Sequence, residues 1–180
     1  AVVQASSVLF DKKATVEKAC SLIEKASNKG AELILFPEAF IPAYPRGLTF
    51  DTTVGERGDK GRKIWESYYH NSVEVPGKFT DILAKTIRDN NVFVAMGVIE
   101  RESSKKGGTL YCTTVYFGLD GEIKGKHRKL KPTGTERIIW GEGDGSTLDV
   151  IDTEFGKVGG LICWENYMPL ARMAMYYKGV

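Results

Sequence analysis

Three short stretches carry side chains able to do covalent chemistry. Glu38 follows the apolar run LILFP, Lys129 ends IKGKHRK, and Cys163 ends VGGLIC. A thiol with its ordinary pKa of ~8.5 is mostly protonated at neutral pH, so a nucleophilic cysteine needs a cation that stabilises the thiolate or a carboxylate that takes its proton. Lys129 fits the first need and Glu38 the second. The same ammonium, joined by the backbone N–H of Trp164 just after the thiol, would hold the negative charge that develops when a thiolate attacks an unsaturated carbon.

Each residue also has an ordinary reading. A glutamate after a strand serves as a solvated loop residue or a cap, a lysine within HRKLK as one charge of an exposed edge, and a cysteine as a small buried hydrophobe. The combination in one chain is what points to chemistry. A cysteine–histidine dyad is the rival arrangement, and the chain offers only His70 and His127. His70 lies in an aromatic, loop-like patch. His127, two residues before Lys129, shares that residue's face of an extended strand and could approach the site.

The elements that must position these residues follow from hydrophobic period and turn chemistry. An apolar run, AVVQA, reads as a first strand. Asp11 caps a helix whose Val16, Ala19, Cys20, Ile23 and Ala26 fall on one face, and Gly30 ends it. LILF, Leu33 to Phe36, reads as a central buried strand stopped by Pro37, so the first two strands are predicted to be parallel across a helical crossover. Residues 42–78 break the rhythm with prolines, glycines, the charged GERGDKGRK and the aromatics Trp65, Tyr68 and Tyr69; a functional loop region or a partly disordered one is expected there. Those rings, with Tyr44, could either shape a pocket for aryl groups or pack the loop. A second helix aligns Phe79, Ile82, Leu83 and Ile87 and leads into the strand VFVAMGVIE.

After a turn-rich KKGG, Leu110, Cys112, Thr114 and Tyr116 alternate with Tyr111, Thr113, Val115 and Phe117, and Asp120-Gly121 turns the chain into IKGKHRK. LDVID and VGGLIC read as strands, with Cys163 at the tip of the second, and MPLARMAMYYKG as a closing helix. The pattern is layered α/β with a mixed sheet.

Composition narrows the classes. Basic and acidic side chains number 25 and 23 and are interspersed, which argues against a phosphate-backbone surface and so against a nucleic-acid partner. No apolar run approaches the ~20 residues that span a bilayer, and no membrane association or signal segment is predicted. Cys20, Cys112 and Cys163 form neither a disulfide framework nor a paired-cysteine zinc pattern, which suits free thiols in the cytoplasm. Ala1 begins directly in an apolar run and Val180 stops where a helix would hand over to a strand, so the chain is expected to be a fragment.

FPEAF around Glu38, HRKLKPT around Lys129 and GGLICWEN around Cys163 together resemble the carbon-nitrogen hydrolase (nitrilase) superfamily, and its nitrilase branch in particular. The resemblance implies an αββα sandwich with mixed sheets, of which residues 1–180 would be the N-terminal part, lacking the C-terminal part of the domain. It implies a Glu38, Lys129, Cys163 triad, with Glu136 as a second glutamate after the lysine motif, and Tyr44 and Trp164 in the substrate pocket. It further implies hydrolysis of an organic nitrile to the carboxylic acid and ammonia through a covalent thioimidate and thioester, without a metal or organic cofactor. Homo-oligomers able to extend into spirals or filaments are the expected assembly. The alternatives are an amidase using the same triad and a catalytically silent assembly module.

Overall fold

The computed structural model describes residues 1–56, 58–103 and 107–180. Helix α1 (Lys12–Ser27) starts where Asp11 Oδ1 accepts the Ala14 N–H at 2.9 Å, and it buries Val16, Ala19 and Ile23 as its spacing requires. Strand β1 (Leu33–Leu35) follows, then helices α2 (Asp59–Asn71) and α3 (Lys78–Asn90). Strands β2 (Phe93–Arg101), β3 (Leu110–Phe117) and β4 (Ile123–Arg128) complete a four-stranded sheet in the order β1-β2-β3-β4. The β1/β2 pair is parallel, while β2/β3 and β3/β4 are antiparallel. Strands β5 (Val150–Thr153) and β6 (Gly156–Gly159) form a separate two-stranded sheet, and helix α4 (Pro169–Tyr177) closes the order.

Strand alternation divides the four-stranded sheet into two buried faces. Val94, Met96, Val98, Val115 and Phe117 point to one side, where Val16, Ala19 and Ile23 of α1 and Leu83 and Ile87 of α3 cover them. Phe93, Ala95 and Tyr116 point to the other side and meet Ile151 of β5. On the far side of the small sheet α4 packs closely: a Cβ placed on Gly159 would stand 2.4 Å from Met175 Cε. Helix, sheet, sheet and helix are therefore stacked in that order.

Several local expectations are corrected. AVVQA contributes only an isolated parallel bridge, Val2 to Leu35, because the run is short and its side chains remain largely outside the core. LILF is not fully buried, since β1 lies at the sheet margin with Leu35 43% exposed. Part of the 42–78 excursion is helix α2, whose Tyr68 is wholly buried beside Phe10 and Phe50. Ile82 stands 41% exposed because Thr80 takes the inward position of the first turn of α3, where its hydroxyl accepts the Gly77 N–H. The expected KKGG turn and the GERGDKGRK patch include Lys105, Lys106 and Arg57, which lie outside the described residues. Strand β6 stops at Gly159, so Cys163 is not at a strand tip but opens a 3₁₀ turn, Cys163–Tyr167.

Candidate active site

Glu38 is presented by an interruption in strand pairing. Phe36 N–H bonds to Ala95 O at 2.9 Å and Ile41 N–H to Gly97 O at 3.3 Å, so Pro37 to Phe40 loop out between two contacts with β2. The loop passes so close to β2 that a Cβ on Gly97 would lie 2.0 Å from Pro37 O. Only a residue without a side chain fits beneath it. Ala39, at φ 53, turns the loop back into the core.

Lys129 comes directly after β4. Its N–H donates to Cys112 O at 2.8 Å, which extends the β3/β4 ladder by one residue and sends the side chain toward the second sheet. The side chain is fully buried, and its Nζ donates to Glu38 Oε1 at 2.7 Å and to Glu136 Oε2 at 2.8 Å. Glu136 sits in a second 3₁₀ turn, Gly134–Ile138, where the same Oε2 accepts the Thr133 N–H at 2.7 Å. Its Oε1 accepts the Tyr44 hydroxyl at 2.7 Å.

The electrostatics follow from this packing. Burial disfavours the Lys129 charge, yet the hydrogen bonds to Glu136 and Glu38 outweigh it and hold the ammonium above the ordinary lysine pKa. Burial likewise acts to raise Glu136, but bonds from Lys129, the Thr133 N–H and Tyr44 win and keep its carboxyl below the usual range. Burial and the neighbouring Glu136 carboxylate push the Tyr44 phenol up, so it remains a donor.

Cys163 is exposed, with φ 56, a conformation that costs a non-glycine residue about 1–2 kcal/mol. Its carbonyl accepts the Asn166 side-chain amide at 3.0 Å. A cleft of about 370 Å3 runs from Cys163 past Thr114 and Gly97 to Glu38. A larger cleft of about 1100 Å3 begins at the other side of Glu38 and is lined by Tyr44 and Glu136, with Leu48, Phe50 and Ile138 as apolar wall. Glu38 is therefore common to the thiol-bearing cleft and the larger one.

Glu38, Lys129, Glu136 and Tyr44 are thus brought into one hydrogen-bonded cluster, and Cys163 shares a cleft with Glu38. Trp164 is placed otherwise: its ring is 60% exposed, tilted against Tyr167 at 4.9 Å, and it lines neither cleft. Of Tyr44, Trp65, Tyr68 and Tyr69, the rings weighed as a pocket for aryl groups, Tyr44 alone reaches a cleft; Trp65 and Tyr69 stack on one another at 5.0 Å and Tyr68 fills the core. His127 lies on the Lys129 face of β4 but is fully buried, facing Glu165 at 2.9 Å rather than a cleft.

Three neighbours were not singled out from the sequence. The Cys112 thiol lies 3.6 Å from Glu38 Oε1, and burial, then the Glu38 charge, push its pKa well above the ordinary value, so it stays a protonated donor. The Trp140 ring lies 5.7 Å from Lys129 Nζ and edge-on to Tyr44 at 5.5 Å. Glu165 is completely buried. Period-two alternation put Cys112 on one face of β3 with Leu110, Thr114 and Tyr116, but only the β3/β4 register sets it opposite Lys129, and nothing local marked Trp140 or Glu165.

Comparison with known proteins bears on the family and the fold. The carbon-nitrogen hydrolase family model matches residues 1–180. The chain is 51% identical over 179 residues to a bifunctional nitrilase/nitrile hydratase of Nicotiana tabacum, covering 99% of this chain and 50% of that protein. It is 51% identical over 180 residues to an aliphatic nitrilase of Sinorhizobium fredii, covering 100% of this chain and 57% of the relative. The chain thus spans about half the length of these relatives. A crystal structure of a Saccharomyces cerevisiae protein from branch 10 of the nitrilase superfamily superposes with a TM-score of 0.74 at 23% identity, over 97% of this chain and 58% of that one. That likeness establishes the nitrilase-type α/β sandwich expected from the sequence. Among the described residues no helix is long and apolar enough to cross a membrane.

Proposed function

Since the chain belongs to the carbon-nitrogen hydrolase family, we propose that it carries the catalytic centre of a nitrilase, hydrolysing an organic nitrile to the carboxylic acid and ammonia. The observation that carries the reading is the fully buried Lys129 ammonium shared by Glu38 and Glu136, on a cleft that joins Glu38 to the exposed thiol of Cys163. Such a cluster is a preorganised site for negative charge beside a nucleophile. Relatives at about half identity bear nitrilase names, which favours a nitrile over an amide.

In the proposed course, Glu38 takes the Cys163 proton as the sulfur adds to the nitrile carbon, and the nitrogen gains a proton to give a thioimidate. Water adds with Glu38 as base, the carbon–nitrogen bond breaks, and ammonia leaves a thioester. A second water cleaves the carbon–sulfur bond, releasing the acid and returning the thiol. Lys129 stabilises the developing negative charge, Glu136 keeps the ammonium aimed, and Tyr44 fixes Glu136 while forming part of the substrate wall. The partner is a small nitrile, in an enzyme that works in the cytoplasm as a homo-oligomer; exposed Leu170, Met173 and Tyr177 on α4 support such a contact.

The test is ammonia release from aliphatic and aromatic nitriles, each beside its matching amide. Release from nitriles supports the reading. Release from amides alone reassigns the centre to an amidase, and silence from both leaves an assembly module.

A further inference from the structure

Two residues beyond Cys163, in the same 3₁₀ turn, the Glu165 side chain is entirely withdrawn from solvent. Its carboxylate accepts from two separate parts of the chain. On one side is the Ile162 N–H at 2.6 Å, the peptide just before Cys163. On the other are the Leu130 N–H at 2.5 Å, just after Lys129, and His127 Nε2 at 2.9 Å, just before it. The opposite nitrogen of the ring, Nδ1, lies 3.3 Å from Thr147 O, and the Arg128 N–H donates to Thr147 Oγ1 at 2.9 Å. One carboxylate therefore ties the backbone entering the thiol turn to the backbone just after the lysine and to the imidazole two residues before it.

We propose that Glu165 is a positioning residue, which with His127 sets the place of the Cys163 sulfur relative to Lys129. The inference rests on the nitrilase reading above. A buried carboxylate costs several kcal/mol unless its oxygens are fully bonded, so an apolar residue would hold this turn at lower cost if stability alone were required. The rest of the five-residue turn faces outward: Cys163 is exposed, at φ 56, Trp164 and Tyr167 lie on the surface, and the Asn166 amide braces the turn from the exposed side through Leu161 O at 3.1 Å and Cys163 O at 3.0 Å, so Glu165 is its one buried anchor. Covalent attack depends steeply on approach geometry, so a small displacement of the thiol is felt in rate before it is felt in binding.

The experiment compares Glu165→Gln, His127→Leu and His127→Gln with the wild type in the full chain, reading kcat and KM on a nitrile and the rate of Cys163 alkylation by iodoacetamide. Glu165→Gln keeps length but turns an amide NH2 toward N–H donors, leaving one without its acceptor. The expected result is a fall in kcat of about 100-fold with KM changed by less than about 3-fold, and slower alkylation. His127→Leu should move the same way, and His127→Gln, whose amide can again donate to Glu165, should recover most of the loss. Wild-type kcat in both Glu165→Gln and His127→Leu overturns the proposal. So does lowered thermal stability with unchanged kcat per folded site, and so does failure of both variants to fold. If Glu165→Gln alone fails to fold, His127→Leu decides. The nitrilase reading fails separately, if the wild type releases no ammonia or Cys163→Ala still does.

Discussion

Glu136 Oε2 accepts the Lys129 ammonium at 2.8 Å, with the lysine side chain fully buried and that of Glu136 only 8% exposed. Deleting the cation leaves Glu136 and Glu38 as two carboxylates facing a space with no counter-charge. Breaking a buried pair from one side costs about 3–5 kcal/mol. Lys129→Met should therefore lower the urea midpoint by that equivalent and remove ammonia release; a midpoint within error of the wild type would return Lys129 to the role of an edge charge.

The same pair sets an acid limit. Burial acts to raise the Glu136 pKa, but its hydrogen bonds hold it below the usual range, and Glu100 is likewise held down against burial by Arg128 and Lys126. A carboxyl depressed on folding stabilises the fold above its unfolded pKa of ~4.3 and loses that contribution as pH falls through the folded value. Stability should drop between about pH 5 and pH 3, and the drop should be shallower in Glu136→Gln, as measured by denaturation midpoints across that range. An equally steep drop in the variant would show that Glu136 does not contribute.

At Cys163 the backbone holds φ 56, where a Cβ is disfavoured by about 1–2 kcal/mol. Cys163→Gly should raise unfolding free energy by about 1 kcal/mol, less the entropy glycine gains in the unfolded chain, while Cys163→Ala stays close to wild type. Both should abolish ammonia release. Calorimetry that found Cys163→Gly much less stable than Cys163→Ala would count against strain at the thiol.

Gly97 is the floor under the Glu38 loop. An alanine there would put its Cβ 2.0 Å from Pro37 O and 3.0 Å from the Ala39 N, both backbone atoms that yield only by moving the loop. Gly97→Ala should cost about 1–3 kcal/mol and, by displacing Glu38, about 100-fold in turnover. Wild-type turnover in that variant would mean that the loop shifts without carrying Glu38 with it.

Much of the layering was legible locally. Helical spacing marked Val16, Ala19 and Ile23 as the buried face of α1, and period-two alternation put Leu110, Cys112, Thr114 and Tyr116 on one face of β3, because both patterns follow from backbone geometry within a few residues. Glu38, Lys129 and Cys163 were likewise visible as residue types at the ends of strand-like runs, while Glu136 entered only through the family resemblance. What the chain by itself left open was distance and enclosure. That Lys129 is buried between two carboxylates, that Tyr44 rather than Trp164 faces a cleft, and that Cys163 opens a turn rather than ending a strand all depend on how separate segments meet. Glu165 is the clearest case: in sequence it is one acidic residue after a cysteine, and only the approach of His127 from β4 and of Leu130 just beyond that strand turns it into a buried acceptor, since hydrogen-bond partners remote in the chain are fixed by packing and not by local preference.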